Sequence, residues 1–150
     1  MKTNWFYNSK ITSDITNIRS VIDEILGKLI NLSCVNNEVE AIYDIKVILN
    51  ELIINAIKHG NKYDYDKFVK VSAAFVNDEY ILFIIEDEGE GYCYSDLELS
   101  NISSDPIDCC SFFEGGRGLM IVNCLCEKIK FNKKGNKIIV LKKLFIDNQI

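Results

Sequence analysis

Histidine is nearly missing from this chain. Its 150 residues include one, His59, and none of the six cysteines, at 34, 93, 109, 110, 124 and 126, stands in a CxxC pair. A structural zinc site takes four Cys or His ligands at short spacings, so the composition argues against one. Long apolar runs are missing too. None approaches the roughly 20 residues of a membrane span, and the opening MKTNWFYNSKITSD has no apolar stretch of a secretory signal. The expectation is reduced thiols, a cytoplasmic setting and no membrane partner. Basic residues are outnumbered: 17 Lys and Arg face 22 Asp and Glu, for a net charge of −5. Nucleic-acid binding usually needs a basic face, so none is expected. Proline occurs once, at Pro106, and no GxxxxGK[ST] phosphate loop is present. No repeat or linker divides the chain, and 48% hydrophobic residues suits a globular domain. Residues 1–150 are therefore expected as one unit.

What the chain does have is clear periodicity. A short strand is expected at 3–8. Ser13 and Asp14 read as an N-cap before Ile15, Ile18, Val21, Ile22, Ile25, Leu26 and Leu29, a spacing of three and four that predicts a helix over 14–31. Asn36 and Asn37 cap a second expected helix from 38 to about 59, with Gly60 as its stop. KFVKVSAAFVNDEYILFIIED alternates about a turn at Asn77-Asp78 and predicts an antiparallel hairpin. Residues 88–114 are rich in Gly, Ser, Asp and Asn, and a loop longer than about 12–15 residues is usually functional. GGRG opens a third expected helix, 118 to about 128. KIKFNKKGNKIIVLKKLFI predicts a second hairpin turning near Lys134-Gly135-Asn136. The fold class is α+β: a two-layer sandwich, its mixed, mostly antiparallel sheet covered on one face by helices.

Three polar motifs stand in series along that frame. Within ELIINAIKHGN, Glu51 and Asn55 are four apart and so share one face of an otherwise apolar helix. Such groups are costly among apolar neighbours unless something binds them. Asp87, Gly89 and Gly91 follow a strand. Gly115, Gly116, Arg117 and Gly118 precede a helix. A glycine-rich turn opening a helix admits phosphates to backbone N–H groups, and Arg117 adds a charged donor. The Asn55 amide oxygen is a hard ligand suited to Mg²⁺. Asp87 can accept from an exocyclic amine such as adenine's, and Gly89 and Gly91 let backbone pass close to the base. Glu51 can accept a proton from an attacking hydroxyl. Each motif alone has a plainer reading: Glu51 and Asn55 as surface positions, the DEGEG run as an acidic turn, His59 as a helix-terminal residue, Lys58 as solvated, the Cys124 and Cys126 side chains as packing. Their order on strand, loop and helix ends outweighs those readings.

In that order, the motifs resemble the N-box and two glycine boxes of the Bergerat-fold (GHKL) ATPases, over about residues 35–145. The similarity is nearest to the anti-sigma factor serine kinases, whose NA-x-x-HG signature matches Asn55-Ala56-Ile57-Lys58-His59-Gly60. The resemblance implies ATP and Mg²⁺ as cofactors, with Asn55 as metal ligand and Glu51 as catalytic base toward a partner serine. It assigns Asp87 to the adenine amine and Gly89 and Gly91 to the base pocket. It makes residues 92–114 an ATP lid, puts Gly116, Arg117, Gly118 and Leu119 at the phosphates, and includes Lys58, His59 and Gly60 in the nucleotide site. Its implied partners are a sigma factor and a STAS-type anti-sigma factor antagonist, with a homodimer as the assembly. Two alternatives compete with the serine/threonine kinase. One is the catalytic module of a histidine kinase system, which would need its phosphoacceptor on another protein because the chain has no second His. The other is a nucleotide-dependent binding module without transfer, motivated by the few basic residues before Arg117.

Overall fold

The computed structural model describes residues 2–31, 39–91 and 116–144. Five strands form one sheet in the order β1-β2-β3-β5-β4. They are β1 (Thr3–Thr12), β2 (Phe68–Val76), β3 (Tyr80–Glu86), β4 (Lys128–Phe131) and β5 (Lys137–Lys143). Every pairing among the described strands is antiparallel. Three helices complete the fold: α1 (Ile18–Asn31), α2 (Val39–Asn55) and α3 (Gly116–Leu125). α2 packs against both α1 and α3.

Alternation in the strands assigns their faces. Val69, Val71 and Ala73 of β2, Ile81, Phe83 and Ile85 of β3, and Ile138 and Val140 of β5 are all buried. Register places them side by side: Phe83 pairs with Ala73 on one side and Val140 on the other. This face joins the apolar stripes of α1 (Val21, Ile25, Leu29) and α2 (Ile45, Leu49, Leu52) in one core. Lys142 stitches the layers from its side. Its ammonium donates to Asp44 Oδ2 of α2 at 3.1 Å and to the Leu125 carbonyl at the end of α3 at 2.8 Å, where a cation also suits the helix dipole.

Several boundaries differ from the sequence-based expectation. β1 runs to Thr12, well past residue 8, with a register shift between Trp5 and Tyr7. A 3₁₀ turn, Ile15–Asn17, precedes α1, and Asp14 alone caps it by accepting from Thr16 N. Ser13 is no cap; it is fully buried and donates to the Lys67 carbonyl at 2.7 Å. α2 ends at Asn55, not near 59, and passes into a π-helical turn over Ala56–Gly60. Gly60 does not stop the helix through a left-handed backbone; it is absent from the positive-φ positions, and the reason for a glycine there is steric, as given below. α3 begins at 116 and ends at 125, a little earlier than expected at both ends. The expected cap at Asn36 and Asn37 lies outside the described residues. The β2–β3 turn is as expected: Asn77 and Asp78 both have positive φ, 54° and 58°, as a type I′ hairpin requires.

Phe83 sits fully buried at the middle of the central strand. Phe83→Ala should cost about 3–5 kcal/mol, a large share of the roughly 5–15 kcal/mol that holds a domain folded. Urea unfolding of the variant against the natural chain measures it.

Candidate functional site

A cleft opens at the end of α2. Its walls are Leu52, Asn55 and Ala56 from α2 and the turn after it, Ile85 and Asp87 from the end of β3, Leu119 from α3, and Phe131, Gly135, Asn136, Lys137 and Ile138 from the β4–β5 hairpin. The enclosed part holds about 30 Å³, room for about two waters. Asn55 is half-buried here and its side chain makes no cap hydrogen bond. The π turn that follows is itself a local irregularity of the kind often found at functional sites.

Asp87 is the most perturbed group in this cleft. Burial pushes its carboxyl up from 3.8 to about 6, against the lowering effects of a hydrogen bond from Gly89 N and of nearby Lys134. The Gly89 N–H donates to Asp87 Oδ1 at 2.8 Å. The backbone of Asp87 is held from the hairpin: its N–H donates to the Asn136 carbonyl at 2.9 Å, and Asn136 Nδ2 donates to the Asp87 carbonyl at 2.7 Å. Asn132 organises that hairpin turn in its own right, its Oδ1 accepting from Gly135, Asn136 and Lys137 N–H groups at 2.8, 3.0 and 3.2 Å.

The glycines are fixed by contacts within the protein. A Cβ at Gly60 would collide with the Asp87 carboxylate, and one at Gly89 with the Gly60 carbonyl. Gly91 has φ of +85° and a Cβ there would run into the Lys134 carbonyl. At Gly118 the obstacle would be Glu51 Oε2. Glu51 thus stands against the first turn of α3, where free N–H groups and the helix dipole favour a carboxylate. It borders the cleft and is not part of its wall.

The site residues expected from sequence divide accordingly. Asn55, Asp87 and Leu119 meet in the cleft, with Glu51 and Gly118 in contact beside it, and Gly60 and Gly89 pack behind Asp87. Gly91 packs on the hairpin. His59 is half-buried in the π turn. Lys58 is not brought to the cleft. It is exposed and lines a separate groove of about 780 Å³ between α1, α2 and the 61–67 loop, with Tyr43 and Tyr63. Gly116 and Arg117 open α3; the Arg117 side chain, Gly115 and the 92–114 segment lie outside the described residues. Sequence reasoning read Asn136 only as a residue of the hairpin turn and gave no role to Asn61 or Asn132. Their signal was a concentration of Asn beside Gly, in HGN and FNKKGN, which marks turns without saying what the amides hold.

The profile of the family described as "Histidine kinase-like ATPase domain" matches residues 11–142 of this chain. The chain belongs to the histidine kinase-like ATPase family. ATP is the ligand class that this membership implies. Among curated relatives, the serine-protein kinase RsbW of Oceanobacillus iheyensis is 26% identical over 118 residues, spanning 74% of this chain and 70% of that protein. The anti-sigma F factor of Clostridium perfringens is 29% identical over 111 residues, spanning 71% of this chain and 75% of that one. A solved histidine kinase domain, from the blue-light activated histidine kinase EL346 of Erythrobacter litoralis, superposes with a TM-score of 0.47 at 23% identity, covering 70% of this chain and 44% of its own. No helix among the described residues of this ATPase-family chain is long and apolar enough to cross a membrane.

The elevated Asp87 pKa makes a signed prediction for the unliganded protein. The folded state holds this proton more tightly than the unfolded chain. The group's contribution to stability is therefore full below about 3.8 and is lost as pH rises through about 6. Asp87→Asn should abolish that loss. Thermal melts should show the variant gaining on the natural protein between pH 4 and pH 7; a constant difference would contradict the burial of the carboxylate.

Proposed function

We propose that this member of the histidine kinase-like ATPase family is an ATP-dependent serine/threonine protein kinase of the anti-sigma-factor type. In this reading it transfers the γ-phosphoryl group to a serine of a small STAS-type antagonist and, in another nucleotide state, holds a sigma factor. The chain acts as one domain, in the cytoplasm, as a homodimer. The observation that carries the reading is the placement of Glu51. Its carboxylate rests on the first turn of α3, one helical turn along α2 from the uncapped Asn55 amide. A base, a hard oxygen ligand and a helix N-terminus thus converge at one end of the sheet. The names of the two curated relatives point the same way.

Asp87, ionised above about pH 6, accepts from the adenine amine. The apolar walls Leu52, Ala56, Ile85 and Leu119 exclude water around the base. Mg²⁺ fits the donor set present. It favours one or two protein oxygens with water and phosphate completing its shell, and Asn55 offers one such oxygen. Among the described residues no cluster of three His, Cys, Asp or Glu forms a separate metal cage. When bound with the nucleotide, Mg²⁺ neutralises phosphate charge. Glu51 takes the proton of the partner's serine hydroxyl as that oxygen bonds to the γ-phosphorus. The bond from the γ-phosphorus to the β–γ bridging oxygen breaks and ADP leaves. Phosphoryl transfer depends mainly on positioning and charge stabilisation, so these parts suffice. The product phosphoserine adds about −1.5 to −2 of charge and weakens docking on an acidic chain.

Capture of partners on the purified protein in Mg-ADP and then Mg-ATP, with phosphosites read by mass spectrometry, tests the proposal. A sigma factor or an antagonist with a new phosphoserine is the expected catch. A phosphohistidine on the partner, or a partner held and never phosphorylated, would replace it with one of the two alternative activities. With the true partner, Glu51→Gln should slow transfer by about 10²–10⁴-fold while retaining nucleotide affinity. Asn55→Ala should remove the Mg²⁺ dependence of that affinity and leave the fold intact. Affinity for ATP should rise as pH passes up through about 6, because the ionised carboxylate is the stronger acceptor for the amine.

A further inference from the structure

Asn61 has no place in the cleft wall, yet it is 1% exposed and its amide is used at both ends. Nδ2 donates to Ser13 Oγ at 2.8 Å and to the Phe68 carbonyl at 3.0 Å. Oδ1 accepts the Glu88 N–H at 2.8 Å. The first two bonds join the end of β1 to the start of β2. The third reaches across to the loop that carries Asp87, one residue away from it. On the far side the same loop is held by Asn136, through the paired bonds at 2.9 and 2.7 Å. The loop that bears the acceptor is thus clamped by two asparagines, one directly after the π turn and one in the β4–β5 hairpin.

We infer that Asn61 is a positioning residue that sets the nucleobase preference of the cleft. The inference rests on the reading of Asp87 as the acceptor for a base. At the relevant edge adenine presents an amine donor, whereas guanine presents a carbonyl acceptor. An anchored carboxylate pairs with the first and repels the second. Such discrimination is strong because the wrong partner leaves a polar group unpaired. It depends on a carboxylate that cannot swing aside. Removing the Asn61 carbonyl frees the Glu88 N–H and leaves only the hairpin side of the clamp. The loop can then tilt away from guanine, and the penalty against it falls. The Ser13 and Phe68 bonds serve a different end, since they hold strands and not the loop.

The test is calorimetric titration of the natural chain, Asn61→Leu and Ser13→Ala with ADP and with GDP, in Mg²⁺, at pH 7.5. Asn61→Leu keeps roughly the volume and removes every polar atom. The natural chain should prefer ADP. Asn61→Leu should lower the ratio of the two affinities by about tenfold or more, the scale of one charge-assisted hydrogen bond. Ser13→Ala should lose thermal stability with the ratio unchanged, which separates positioning from general weakening. Equal preference in the natural chain and a folded Asn61→Leu overturns the inference and leaves adenine recognition standing. No nucleotide binding by the natural chain overturns the reading beneath it. Should Asn61→Leu not fold, amide hydrogen exchange at Glu88 in the natural protein decides: protection comparable to its sheet neighbours supports the anchor, and exchange at the rate of an open loop refutes it.

Discussion

One buried amide ties together three segments beside the cleft. Asn61 follows the π turn directly and meets three segments: the end of β1 and the loop after β3, both distant in sequence, and the nearby start of β2. Each of those segments ends with backbone groups that the sheet no longer pairs. Left buried and unpaired, such groups cost on the order of 1–3 kcal/mol each. Asn61 satisfies two of them, the Phe68 carbonyl and the Glu88 N–H, and hands a third duty to Ser13, whose hydroxyl caps the Lys67 carbonyl. A hydrophobic residue here could fill the space and satisfy none of them. The loop that carries Asp87 is held by this amide through Glu88 and by Asn136 through both backbone groups of Asp87.

α2 performs two tasks that usually conflict. Its buried face, with Ile45, Ile48, Leu49 and Leu52 at 2% exposure or less, holds the helix on the sheet. The same last two turns present Glu51 and Asn55. The conflict is resolved by the helix's neighbours. α3 brings a bare Cα at Gly118 to where Glu51 needs room, and Asn55 lines the cleft. The π turn then changes the phase of the chain, so that Ala56, Ile57 and Gly60 are all buried while Lys58 emerges on the other side. That shift is why a residue within the signature stretch lines a different groove from its neighbours.

Much of this was legible in the sequence, for identifiable reasons. The hairpins were readable because Asn77-Asp78 tolerates left-handed backbone and the flanking residues alternate cleanly. The stripe from Ile18 to Leu29 could only be a helix with one buried face. The pairing of Glu51 with Asn55 followed from helical spacing alone. Asp87 stood out as an acid directly after an apolar strand. What could not be read were features decided by contacts between distant segments. The glycines at 60, 89 and 118 looked like freedom for the backbone or room for a ligand; in the structure each yields space to another part of the chain. Ser13 looked like a cap because it precedes a helix, and only the approach of Lys67 and Asn61 shows its use. The π turn has no local signal, since AIKHG is as compatible with an ordinary helix end.

The interlock of Gly60 with Asp87 constrains how this sequence can drift. A methyl group at position 60 has no room while a carboxylate stands at 87, and the carbonyl of Gly60 in turn denies a side chain to position 89. The three positions behave as one unit of inheritance: no side chain can be added at 60 or 89 until its neighbour gives way. Loss of the acid at 87 would open position 60, whereas position 89 would stay closed by the backbone of Gly60. Descendants that keep the acid should therefore keep both glycines, whatever else they change around them.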